Sequence, residues 1–198
     1  LISWIYLFVY DKFFIFSINL NVSLLLGAYA IGDTISMADQ QIPHEICYGA
    51  YNNDVYMIGD ANYHINGGNK QITIMKLSAA WWGNFQHSSL DAMVQEYSDD
   101  NRMLIVENFD EVEQPYTCEQ WGAFAEENLP MIFTDGTPAW DFFLWDMFSL
   151  DCSAGTIVID HNMRIRHVLD YFPSDSLNSI IIPELLAELE ESRHDING

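Results

Sequence analysis

The sequence predicts an α/β fold, a central mixed β-sheet covered by helices on both faces. Three observations point there. From residue 71 onward, short apolar runs alternate with segments of helical periodicity. The first of these runs is apolar enough to be a buried strand. The chain then closes with two adjacent strand-like runs, GTIVID and MRIRHVL, before a last helix.

Each element has its own reason. Residues 71–77 form a buried-strand run, and 84–97 carry Phe85, Leu90, Met93, Val94 and Tyr97 near helical spacing. Residues 102–109 (RMLIVENF) are a second strand. Residues 117–128 are a helix that Thr117 can cap through its hydroxyl. A short strand, PMIFT, covers 130–134, and an aromatic helix covers 140–148. Strands at 155–160 and 163–169 flank His161-Asn162, which suits a two-residue hairpin turn. Residues 183–192 are a helix with Pro183 in its first turn and Leu185, Leu186 and Leu189 on one face.

Before residue 71 the pattern changes. Residues 13–26 are mostly apolar, follow Lys12 and end near Ala28-Tyr29-Ala30, a small-x-small pattern suited to signal peptidase. Residues 1–30 therefore read as a signal peptide or, with the earlier apolar residues counted, a membrane anchor. Either way the body is expected outside the cytoplasm, in a periplasmic, extracellular or secretory-lumen setting. Residues 31–70, rich in Asn, Asp, Gly and Tyr, read as an N-terminal extension with one or two short strands and a turn at Asn66-Gly67-Gly68-Asn69. Residues 71–198 form the main domain.

A chain of 198 residues with 49% hydrophobic and 14% aromatic content can bury a sizeable core. Its 29 acidic against 7 basic residues give a formal charge of -22, which repels a nucleic-acid backbone. The basic residues, Lys70, Lys76, Arg102, Arg164, Arg166 and Arg193 among them, form no block for phosphates or anionic lipid, so any membrane association runs through the N-terminal segment. Most of the acidity reads as a solvated face, with a cation or a basic partner as the other reading.

Cys47, Cys118 and Cys152 form no CxxC and no zinc spacing. In an oxidising compartment two of them can pair, and the sequence does not say which. His44, His64, His87, His161, His167 and His194 are dispersed, without metal-ligand spacing, and read as surface or hydrogen-bonded groups. No metal or cofactor is expected. Asp99-Asp100, Asp110-Glu111 and Glu190-Glu191 are adjacent carboxylates that point apart, so they read as solvated. Trp140, Phe142, Phe143, Trp145 and Phe148 read as core, any exposed part being a contact patch. Gly67-Gly68 before Lys70 lacks phosphate-loop spacing, and Ser88-Ser89 after His87 lacks a nucleophile elbow.

Residues 72–89, ITIMKLSAAWWGNFQHSS, run an apolar strand into a small-residue turn and a helix start. Two later stretches, Leu129-Pro130-Met131-Ile132-Phe133-Thr134-Asp135 and Gly155-Thr156-Ile157-Val158-Ile159-Asp160, follow in order. Over roughly residues 55–190 this series resembles exported thioredoxin-like proteins of the alkyl hydroperoxide reductase and thiol-specific antioxidant superfamily. The resemblance implies a thioredoxin-like three-layer sandwich with a redox centre of the form Ala-x-Trp-Cys-Gly-x-Cys.

Ala79, Trp81, Gly83 and Gln86 match that frame, whereas Trp82 stands at the nucleophile position and Phe85 at the resolving position. Neither side chain can ionise to a thiolate or exchange a disulfide. Ala154 stands where the family carries a cis-proline, so an ordinary trans peptide and a reshaped groove are expected. The resemblance thus implies a redoxin with a degenerate site. Trp81, Gly83, Ser153 and Ala154 would line a groove for an extended peptide, a protein partner or an apolar ligand. The alternative is a thiol- or selenol-dependent oxidoreductase or peroxidase. In it Trp82 is a misread selenocysteine, since some genetic codes render UGA as Trp, or else Cys152 or Cys118 acts alone.

Overall fold

The computed structural model describes residues 28–49, 55–79, 87–110, 116–124, 131–134, 143–148, 150 and 155–194. Strands β1 (His44–Tyr48), β2 (Val55–Tyr56), β3 (Ile72–Ala79), β4 (Met103–Asp110), β5 (Met131–Phe133), β6 (Gly155–Ile159) and β7 (Ile165–Leu169) make one sheet. Its order is β2-β1-β5-β4-β3-β6-β7. The helices are α1 (Met37–Gln40), α2 (His87–Tyr97), α3 (Cys118–Gly122), α4 (Phe143–Met147), α5 (Ser174–Ser176) and α6 (Ile182–His194).

The sheet is mixed, as the alternation of elements requires. Strand β3 runs parallel to β4 from Ile72 opposite Met103 to Ala79 opposite Asp110, and β4 runs parallel to β5. Strand β6 returns antiparallel on β3, and β7 antiparallel on β6. Every residue of β3 is buried, and five of its eight are apolar, Thr73, Lys76 and Ser78 being the exceptions. The segment before residue 71 joins the same sheet, with β1 antiparallel to β5 and β2 antiparallel to β1.

Alternation along the strands divides the core into two layers of contact. Met75, Leu77, Val106, Phe133, Ile157 and Ile159 face α4, where Leu144, Trp145 and Phe148 are buried. Ile72, Ile74 and Val158 face the opposite way, against Leu90 and Met93 of α2 and Leu185 and Leu189 of α6. Helices therefore cover both faces, and the fold is the expected three-layer sandwich. The described part of the aromatic helix belongs to the core and offers no contact patch; Trp140 and Phe142 lie outside the described residues.

Two elements depart from the expected local structure. Helix α3 ends at Gly122 rather than running to 128, although Thr117 caps it as expected: its Oγ1 accepts from the Gln120 N–H at 3.3 Å, and the Gln120 side chain answers from 3.0 Å. The hairpin between β6 and β7 does not turn on two residues. The Asp160 N–H donates to the Arg164 carbonyl, and Met163 takes the left-handed region at φ 62°. Asp160 Oδ1 accepts from the Asn162 and Arg164 N–H groups, so its side chain shapes the turn.

Candidate functional site

Trp81, Trp82, Gly83 and Phe85, together with Cys152, Ser153 and Ala154, lie outside the described residues. Their anchor points are described. Strand β3 ends at Ala79 and α2 starts at His87, while Gly155 opens β6 directly opposite Leu77. The two halves of the expected groove thus leave the sheet from neighbouring strands at one end, the carboxyl end of β3 and β4. In open α/β sheets ligands gather at that end.

The same end carries a buried polar cluster. Lys76 and Glu107 are Cα partners on β3 and β4, and their side chains form an ion pair of 2.9 Å that is 3% and 0% exposed. Glu107 Oε1 also accepts from Ser78 Oγ at 2.6 Å and from the Trp121 indole N–H at 3.2 Å. Burial alone would raise the Glu107 pKa. The charges of Lys76 and His87 and the Ser78 hydrogen bond outweigh it and hold the carboxyl below its ordinary value.

His87, the first residue of α2, is buried with its ring edge-on to Trp121 at 4.6 Å. Burial pushes its pKa down, opposed in part by the charge of Glu107. Among the described residues, neither His87 ring nitrogen nor Glu107 Oε2 has a hydrogen-bond partner. The expectation of surface or hydrogen-bonded histidines fails here and at His44, which is 1% exposed. Asp110, read as one of a solvated pair, is likewise buried at the end of β4.

Lys76, Ser78, Glu107, His87 and Trp121 were not predicted as site residues. A signal for the first and third exists in the sequence: a lysine inside ITIMKLSA and a glutamate inside MLIVENFD are charges in strands buried on both faces, and such charges need partners.

Cys47 and Cys118 form a disulfide with Cα atoms 5.9 Å apart, joining β1 to the start of α3. This settles which cysteines pair, and it corrects the reading in which Cys118 acts alone, because its sulfur is bonded to Cys47. Next to it, Tyr116 and Phe124 stand at either end of α3 with their rings edge to face, and Phe124 is exposed. Among the described residues no helix is long and apolar enough to cross a membrane, and no group of His, Cys, Asp or Glu is arranged to hold a metal ion.

No protein-family model matches this sequence, and no curated protein matches it either. Solved structures do. A Chlorobium tepidum protein assigned as the thiol:disulfide interchange protein DsbE superposes with a TM-score of 0.55 at 13% identity, over 81% of this chain and 98% of its own. Xylella fastidiosa PrxQ gives 0.56 at 12% identity, over 82% and 99%. A thioredoxin-like protein from Aeropyrum pernix gives 0.50 at 14% identity, over 71% and 88%. At these identities the likeness is one of architecture, and with the strand order and the two helical layers it establishes that this chain has a thioredoxin-like fold.

Proposed function

We propose that this chain is an exported thioredoxin-fold protein that binds an extended peptide or an apolar ligand at the carboxyl end of β3 and β4 without dithiol exchange there. The observation that carries the reading is the pair Trp82 and Phe85, aromatic residues in the sequence where this frame would hold two cysteines. Aromatic rings supply contact area without reactivity. The Cys47–Cys118 disulfide supports export, since such bonds persist in oxidising compartments. To test the reading, titrate unstructured peptides against the full chain by calorimetry and assay insulin-disulfide reduction on the same protein, expressed from its native codons. Binding without reduction is expected. Reduction that disappears in Cys152→Ser would overturn the binding-only view.

A second reading keeps thiol or selenol chemistry, and the buried polar cluster at the carboxyl end of β3 and β4 favours it. Glu107, a carboxyl held below its ordinary pKa, and His87, an imidazole whose pKa burial pushes down, are groups able to hold or move a proton. The codon for residue 82 decides the selenol form: UGG ends it, whereas UGA together with peroxide reduction by the selenium-containing protein would establish it over the first reading. The thiol form stands or falls on reduction that disappears in Cys152→Ser.

A further inference from the structure

The peptide-binding reading leaves the chemical class of the partner open, and the surface beside α3 narrows it. The Tyr116 and Phe124 rings meet edge to face with centroids 4.7 Å apart. With Gln120 and Ala123 they line an open cavity of about 330 Å³. Phe124 is 37% exposed, and its ring lies 6.2 Å from that of His87, so the cavity borders the start of α2.

The chain as a whole is strongly acidic, with 29 acidic against 7 basic residues and a formal charge of -22. No Lys or Arg occurs between Arg102 and Arg164 in the sequence. Glu119 is exposed on α3 itself. An anionic ligand would be repelled by a protein of that net charge, and a neutral apolar one would gain contact area alone. A cation gains from the field and from the ring faces together.

We infer that the Tyr116–Phe124 corner docks a cationic extended peptide, the stem of a Lys or Arg filling the cavity and its charged head lying against the rings. The inference rests on the peptide-binding reading and specifies its partner.

The test uses the full chain and three unstructured decapeptides: one in which lysines flank a single phenylalanine, and its serine and glutamate counterparts. At low salt the lysine peptide is expected to bind about tenfold tighter than the serine peptide, and the glutamate peptide weakest. The lysine advantage should largely vanish in high salt, because the Debye length falls from about 30 Å at 0.01 M to about 3 Å at 1 M. Phe124→Ala should weaken the lysine peptide by roughly fivefold or more. Phe124→Leu keeps apolar area but has no ring face, so it should cost the lysine peptide more than the serine peptide. Equal affinity for lysine and serine peptides would overturn the cationic assignment and leave peptide binding standing. Lysine-peptide binding indifferent to Phe124→Ala would also overturn it, by moving the site elsewhere. Failure of all three peptides to bind would remove the peptide-binding reading together with this inference.

Discussion

Lys76 and Glu107 face each other across the parallel strands β3 and β4, their ion pair sealed from solvent and joined by Ser78 and Trp121. Sealing two charges costs several kcal/mol per ion, roughly, and mutual attraction with good hydrogen bonds offsets that cost. The pair is therefore stable only while complete. Removing one partner leaves the other charge buried and uncompensated. Lys76→Met should destabilise the protein by about 3–5 kcal/mol in urea unfolding. Adding Glu107→Gln should recover part of this, because a neutral amide oxygen still accepts from Ser78 and Trp121. A double variant less stable than Lys76→Met alone would contradict this account of the cluster.

The Cys47–Cys118 disulfide closes a loop with a sequence separation of 71 residues. On the chain-entropy estimate a loop of that length stabilises the fold by about 4 kcal/mol. Cys47→Ser/Cys118→Ser should lower the unfolding midpoint accordingly, and reductant should lower that of the wild type but not of the variant. Thiol counting checks the pairing independently. Alkylation of the unfolded, unreduced chain should modify Cys152 and spare Cys47 and Cys118.

How much of this was legible in the sequence follows from where burial is uniform. Strands β3, β4 and β6 lie in the sheet interior, so apolar residues dominate them and their runs are plain. Thr117 was legible as a cap because capping is a local interaction. The end of α3 at Gly122 was not, because the Ala123-Phe124-Ala125-Glu126-Glu127 run that follows in the sequence carries no stop signal. Strand β1 mixes a buried His44 with an exposed Glu45, and nothing local reveals that β5 lies beside it. The polar cluster was hidden for a related reason. Lys76 and Glu107 are 31 residues apart, and only the register of two parallel strands makes them a pair.

Gly122 shows how closely α3 sits on β1. A Cβ built at this position would fall within contact distance of the Tyr48 ring atoms Cγ, Cδ1 and Cδ2. Tyr48 belongs to the same small cluster as Phe109, Trp121 and Ile132, so its ring has limited room to move. Gly122→Ala should therefore cost about 1–3 kcal/mol, an overpacking effect that exceeds the helix-propensity gain of about 1 kcal/mol. Thermal unfolding of Gly122→Ala beside Tyr48→Ala/Gly122→Ala separates the two contributions. If the clash is the cause, the glycine substitution becomes neutral or stabilising once the ring is gone.

His44 should make stability depend on pH. Its ring packs against Phe133 and Tyr56 at centroid distances of 5.2 and 6.4 Å. Burial lowers its pKa to about 4, opposed by the nearby Thr134 backbone; neither ring nitrogen is in hydrogen-bond geometry with a described residue. In the unfolded chain the imidazole titrates near its ordinary value of about 6.5. Between those two pH values the unfolded state binds the proton that the folded state refuses, so stability rises with pH across that window. The contribution is present in full above about pH 6.5 and lost as pH falls through about 4, a total on the order of 3 kcal/mol. Carboxylates such as Glu188, held low by the Arg166 hydrogen bond, add their own acid sensitivity, so a difference between variants is the informative quantity. Urea midpoints of wild type and His44→Leu, measured from pH 4 to pH 7, should diverge steadily, with the wild type losing more stability on acidification. Parallel curves would show that His44 carries its proton equally well in both states and is not sealed in the core.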